Sequence, residues 1–168
     1  MKIPNHLLDY AKDITQRRID INKNRYDGTH KQRTGYIDSK LLGYVSREYY
    51  TEYIGILAEL IMRYRMDVDE RCQWYKVSTF IKKTEYVSND CDIELSCNGN
   101  QRKISVKGCE NSMKANKQAI DSEDSDLVVF VVFTGKDEFV TNVYKPEEIK
   151  EWEIKSSFSD YYYKQLGQ

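Results

Sequence analysis

Asp92 and Lys107 are the residues through which this chain could do chemistry. They lie in the interval from Asn89 to Cys109, which reads as two short strands joined at Asn98-Gly99. An Asn-Gly pair suits a type I′ hairpin turn, whose two central residues need positive φ. Ile93 and Leu95 alternate with Asp92, Glu94 and Ser96, and Ile104 and Val106 alternate with Lys103, Ser105 and Lys107. Each strand therefore has one apolar and one polar face. A two-residue loop pairs Cys97 with Asn100 and sets Asp92 opposite Ser105, Glu94 opposite Lys103 and Asp90 opposite Lys107. A four-residue loop sets Asp92 opposite Lys107. In either register Asp92 and Lys107 share the polar face within direct or diagonal reach. Grouped carboxylates can hold a divalent cation, and a neighbouring ammonium can orient a water and stabilise developing negative charge. The same residues also suit a solvated face carrying cross-strand ion pairs.

Several elements must position this hairpin. A long helix is expected from Ser46 to Met66, with Ser46 as N-cap and Glu48 in the first turn. Tyr53, Ile56, Leu57, Leu60, Ile61 and Tyr64 fall on one face, and Ile54, Ala58 and Met62 widen the apolar surface almost round the helix. Glu52, Glu59 and Arg63 share the narrow stripe that is left. Tyr75 to Ile81 reads as a first strand, with Thr84 to Ser88 a continuation or bend. After the hairpin, Ser112 to Ile120 is expected to be a short helix. Leu127 to Phe133 is an unbroken β-branched and aromatic run, the pattern of a strand buried on both faces. Hairpin, helix and buried strand imply a right-handed crossover. Phe139 to Tyr144 follows as a strand, and Pro146 opens a helix with Glu147 and Glu148 beside it.

The acid at the head of one strand and the lysine near the end of the next resemble the PD-(D/E)xK nuclease superfamily, which has the restriction-endonuclease-like fold. In that family the aspartate and a middle acid bind a divalent cation, the lysine helps activate the attacking water, and the backbone carbonyl before the lysine also binds metal. Asp92 and Lys107 match, and the carbonyl would be that of Val106. Ser105 stands in the place of the middle acid, and Cys91 in the place of the proline before Asp92. Many members also carry a glutamate on the helix before the hairpin, often one turn after a small residue, and Glu59 stands four residues after Gly55. Glycine at that position removes bulk beside the carboxylate and lets another backbone approach. The alternative for Glu59 is an i, i+4 ion pair with Arg63 on a solvated stripe. Glu94 lies on the right face to compensate for Ser105, directly or through water, with Asp90 a weaker substitute.

The resemblance covers about residues 46 to 152. It implies an α/β fold, with a central mixed β-sheet of four to five strands flanked by helices. It also implies an endonuclease that hydrolyses DNA with Mg²⁺ or Mn²⁺, with Asp92, Glu59 and the Val106 carbonyl as ligands and Lys107 as water partner. The competing reading is a nuclease-like fold without catalysis, kept as a nucleic-acid- or protein-binding module, which Ser105 favours.

At 168 residues the chain is expected to form a single domain. Its formal net charge of −1 excludes a strongly basic protein, but residues 1 to 47 hold ten Lys/Arg against five Asp/Glu, and the remainder sixteen against twenty-two. A basic N-terminal contact surface on an acidic body is thus allowed. A first helix is expected from Asn5 to about Asn22, followed by a charged loop over Asn24 to Ser39. In that loop Arg25, Lys31 and Arg33 suit either phosphate contacts or simple solvation, and Lys103 is a further candidate for contact with nucleic acid. Glu153 to Gln168, with Phe158, Tyr161, Tyr162 and Tyr163, is expected to be a helix or tail packed on the body, the alternatives being a stacking platform for bases or an oligomer contact. Four cysteines without a C-x-x-C pair argue against zinc, and no apolar run is long enough to span a bilayer. The chain is expected to be cytoplasmic with reduced thiols, and a homodimer would let two sites cut both strands of a duplex.

Overall fold

Leu127–Phe133 forms the strand that its composition demands, and two hydrophobic layers build outward from it. The computed structural model describes residues 1–23, 33–68, 92–97 and 99–167. The expected strands at Tyr75 to Ile81 and Thr84 to Ser88, and the arm residues Arg25 and Lys31, lie outside the described residues. In chain order the elements are α1 (Asn5–Lys23), β1 (Tyr36–Ser39), β2 (Gly43–Ser46), α2 (Arg47–Val68), β3 (Ile93–Cys97), β4 (Asn100–Glu110), β5 (Ser112–Asn116), α3 (Lys117–Asp121), β6 (Leu127–Phe133), β7 (Phe139–Tyr144), α4 (Pro146–Ile149), β8 (Glu153–Ser156) and β9 (Asp160–Gln165).

The central sheet has four strands in the order β3-β4-β6-β7. It is mixed: β3 and β4 are antiparallel, β4 and β6 parallel, β6 and β7 antiparallel. The fold is therefore α/β with a four-stranded mixed sheet, as expected. The hairpin takes the two-residue register, with Cys97 opposite Asn100, Glu94 opposite Lys103 and Ile93 opposite Ile104. Gly99 supplies the positive φ that this turn requires.

The two faces of the sheet bury different partners. Ile93, Ile104, Val106, Val129, Val131 and Phe133 pack under α2, and α1 closes the outside of α2 with Leu7, Ala11 and Ile14. Val128, Phe130 and Val132 pack against Met113, Ala115, Ile120, Ile149 and Tyr162 on the other side. Both faces of β6 are thus dry, which accounts for its lack of polar alternation.

Three local expectations give way to tertiary pairing. Ser112 to Ile120 is not one helix. Met113 and Ala115 alternate inward on β5, which pairs with β9, and only Lys117–Asp121 is helical, where the Asn116 side chain accepts from the Ala119 amide. Glu153 to Gln168 is neither helix nor tail. It forms β8 and β9, the edge and the central strand of a three-stranded sheet ordered β5-β9-β8, with Tyr162 buried and Tyr161 and Tyr163 on the opposite face. The expected loop up to Ser39 ends instead in β1, paired with β2. Glu110 at the end of β4 anchors that hairpin, because its carboxylate accepts from Ser39 Oγ at 3.1 Å, the Lys40 amide at 2.5 Å and Tyr50 Oη at 3.0 Å. Ser46 does cap α2, accepting from the Tyr49 amide at 3.2 Å.

The glycine that allows α2 to lie close on the sheet is Gly108, not Gly55. A Cβ at Gly108 would fall inside van der Waals contact with the Ile54 carbonyl and 3.2 Å from Ala58 Cβ, whereas nothing lies within 4 Å of a Cβ at Gly55. Backbone on both sides of the contact cannot yield as a side-chain tip can. Gly108→Ala is therefore expected to destabilise the protein by about 3 kcal/mol, the upper range for overpacking. Urea unfolding checks it, and an unchanged midpoint would show that the α2–β4 contact is looser than its geometry.

Candidate active site

The site is built where β3 begins and the hairpin ladder runs out. Asp92 stands one residue before β3, so its carboxylate takes the place of a missing strand partner. Oδ2 accepts from the Val106 amide at 2.6 Å and from Ser105 Oγ at 3.4 Å. Its backbone carbonyl accepts from the Arg63 guanidinium. Arg63 is itself buried on α2. The backbone of β4 thus fixes the acid from one side and α2 holds its main chain from the other.

Glu59, one turn before Arg63, reaches the same acid. Burial pushes its carboxyl upward, to about 9, and a hydrogen bond with Asp92 and the Asp92 charge act in the same direction. Arg63 and Arg18 oppose the shift without cancelling it. At neutral pH the Glu59–Asp92 pair therefore keeps one proton between its two carboxyls. Two carboxyls on one proton is the response of like charges that are held together away from water. The i, i+4 alternative on a solvated stripe does not apply, since Arg63 is buried and Glu52 faces Arg18 of α1 at 3.0 Å.

Ser105 and Lys107 alternate to the face away from α2, and Ser105 is buried. The Lys107 ammonium has Glu123 as its acidic neighbour, at 4.0 Å. Glu94 is exposed, opposite Lys103 on the hairpin, and Lys103 Nζ lies 3.9 Å from Asp124. Arg33 turns onto α2: its amide donates to Glu48 at 2.7 Å, and its guanidinium lies 3.7 Å from Glu48 and 3.6 Å from Glu52. The structure thus brings together Asp92, Glu59, Val106, Ser105 and Arg63, sets Lys107 one residue beyond Val106 on the face away from α2 with Glu123 as its acidic neighbour, and leaves Glu94, Lys103 and Arg33 in other surroundings.

Two residues were not legible as parts of this site. Arg63 has a neighbour in sequence register, Glu59, that disguises it as half of a surface pair. Glu123 lies in the acid-rich run Asp121-Ser-Glu-Asp-Ser-Asp126, where nothing local distinguishes the acid that meets Lys107 from its neighbours.

The donor set fits a hard divalent cation in one respect. Mg²⁺ is commonly held by one or two carboxylates, with water and substrate phosphate completing its shell. Asp92 and Glu59 are two such groups, and a cation would replace the proton they share. Among the described residues no group of three or more His, Cys, Asp or Glu side chains is placed to hold a metal. Nor is any described helix long and apolar enough to cross a membrane. No protein-family model matches the chain, and no curated protein or solved structure does so either.

Proposed function

We propose that this chain is a Mg²⁺- or Mn²⁺-dependent endonuclease of the PD-(D/E)xK kind that acts on DNA. The observation that carries the reading is the Glu59–Asp92 carboxyl pair, sharing a proton at the end of β3 beside the strand that bears Lys107. The antiparallel hairpin β3–β4 followed by the parallel strand β6 supports a restriction-endonuclease-like topology.

A cation held by Asp92 and Glu59, with the Val106 carbonyl as a further oxygen, would neutralise the phosphate and acidify a bound water. The remaining tasks fall to the chain itself. The Val106 amide and Ser105 hydroxyl fix the Asp92 carboxylate. Arg63 balances the two acids and anchors the Asp92 main chain. Lys107 orients the attacking water and stabilises the charge that develops on phosphate. Lys103, exposed on the hairpin, and the arm residues Arg25 and Lys31 would contact the nucleic-acid backbone. Arg33, already facing two acids, would contribute less. A cleavage assay on single-stranded, duplex and branched DNA and RNA, with Mg²⁺, Mn²⁺ or EDTA, tests the proposal. Metal-dependent products on DNA support it, and no cleavage of any substrate with either ion removes it.

Ser105 favours a second reading: the same fold as a nucleic-acid-binding module without catalysis. Binding of DNA in EDTA, with no cleavage in either metal, is the outcome that selects it. In the catalytic case we expect a homodimer, because one site per chain cuts one strand per encounter. Light scattering with and without DNA checks this, and a monomer in both conditions removes it.

A further inference from the structure

Lys107 does not stand alone on its face of the sheet. The Glu123 carboxylate lies 4.0 Å from its Nζ, and the two side chains are 13% and 29% exposed. A carboxylate so far out of water needs a positive partner. Glu123 comes from the loop between α3 and β6, and that loop is clamped to the strand of the candidate site. The Asp126 amide donates to the Lys103 carbonyl at 2.8 Å, and the Lys103 amide donates to Asp126 Oδ2 at 2.8 Å. The clamp lies two residues before Ser105. Within the loop the Ser125 amide donates to the Glu123 carboxylate at 3.3 Å. Ser125 Oγ is buried with no hydrogen-bond partner among the described residues. On the strand itself Ser105, two residues before Lys107 and on the same face, is small and carries no charge.

We infer that Glu123 is the positioning residue of this site: from the loop before β6 it holds the Lys107 ammonium in place, a carboxylate beside the lysine on the face where the strand itself carries the uncharged Ser105. The inference rests on the nuclease reading. Glu123 works through Lys107 and not as a third direct ligand, in keeping with the absence of a three-acid cluster among the described residues. Without it the lysine stem is free to rotate, and a displaced ammonium no longer meets the attacking water.

The test compares wild type, Glu123→Gln and the double variant Ser105→Glu/Glu123→Gln. Each is titrated calorimetrically with Mn²⁺ and assayed on labelled single-stranded, duplex and branched DNA, with thermal melts as control. Glu123→Gln is expected to keep wild-type Mn²⁺ affinity and KM but to turn over about tenfold to a hundredfold more slowly, as misplacement of a catalytic group does. The double variant is expected to recover most of that loss, since an acid at 105 stands beside Lys107 on its own strand. Rescue of kcat by an acid at a different position is something a merely structural role does not predict. A slow Glu123→Gln whose loss tracks its melting temperature and is not rescued overturns the inference. So does a Glu123→Gln that cleaves like wild type, and either result leaves the nuclease reading standing. A wild type that binds no Mn²⁺ and cleaves none of the substrates overturns both.

Discussion

Asp92→Ala and Lys107→Ala are each expected to remove metal-dependent DNA cleavage, but for different reasons that one experiment separates. Asp92 is the acceptor for the Val106 amide at 2.6 Å, and under the proposed function it would also be a cation ligand. Its loss should weaken Mn²⁺ binding in calorimetry, and excess metal should restore part of the activity. Lys107 touches no ligand. Its loss should leave Mn²⁺ affinity in place and lower turnover by about 10²-fold or more, since the ammonium acts on charge that develops only in the transition state. Ser105→Glu adds the acid that the resemblance expects at that position, two residues before Lys107. If the site is otherwise intact, this variant should bind Mn²⁺ more tightly than wild type. A wild type that binds no divalent ion, combined with a Ser105→Glu variant that does, would leave the fold reading standing and remove catalysis. If neither binds, the resemblance to the nuclease superfamily is accidental.

Glu59→Gln is expected to stabilise the metal-free protein at alkaline pH and to flatten its pH dependence. The Glu59 carboxyl titrates near 4.5 when unfolded and is pushed to about 9 in the fold by burial and by Asp92. Between those values the folded chain binds a proton that the unfolded chain has released. Stability is therefore fully present below the ordinary glutamate range and drains as pH rises through about 9. A tenfold difference in proton affinity is worth about 1.4 kcal/mol. The shift to about 9 already includes the opposing charges of Arg63 and Arg18, so the loss across the window should be several kcal/mol, about 6 at most. Glutamine keeps the hydrogen-bond donor to Asp92 and cannot ionise. Urea unfolding at a series of pH values in EDTA reads the slope directly. The same slope in both proteins would mean that Glu59 is not the group responsible. With Mn²⁺ added at about pH 8, wild type should gain stability by mass action and Glu59→Gln should gain much less.

Acid pairing of this kind connects the two predictions. The carboxyls of Glu59 and Asp92 compete for one proton, and under the proposed function a divalent ion would take that proton's place. Arg63, buried at the Asp92 main chain, opposes the upward shift of Glu59.

The amino-acid order alone determined the local geometry of the hairpin. Asn98-Gly99 suits the turn, and alternation of Ile93, Ile104 and Val106 with charged and polar residues forbids a one-residue slip, which leaves two registers, of which the fold takes the one that pairs Glu94 with Lys103. The same holds for β6, whose composition suits no solvated face, and for the cap of α2 at Ser46. Tertiary structure decided the elements whose local signals were weak or divided. Ser112–Asn116 carries no strong strand signal and becomes a strand only because β9 offers a ladder and the core beneath accepts Met113 and Ala115. The tyrosine-rich end gains its period-two meaning in the same pairing, with Tyr162 inside and its neighbours out. At the site, spacing could align Asp92 with Ser105 and Lys107, because a hairpin is a local object. It could not say that Arg63 would turn inward or that Glu123, among several acids in one loop, would be the one to meet Lys107. Those choices depend on where a helix and a loop distant in sequence come to rest, and the burial that selects them exists only after the layers have packed.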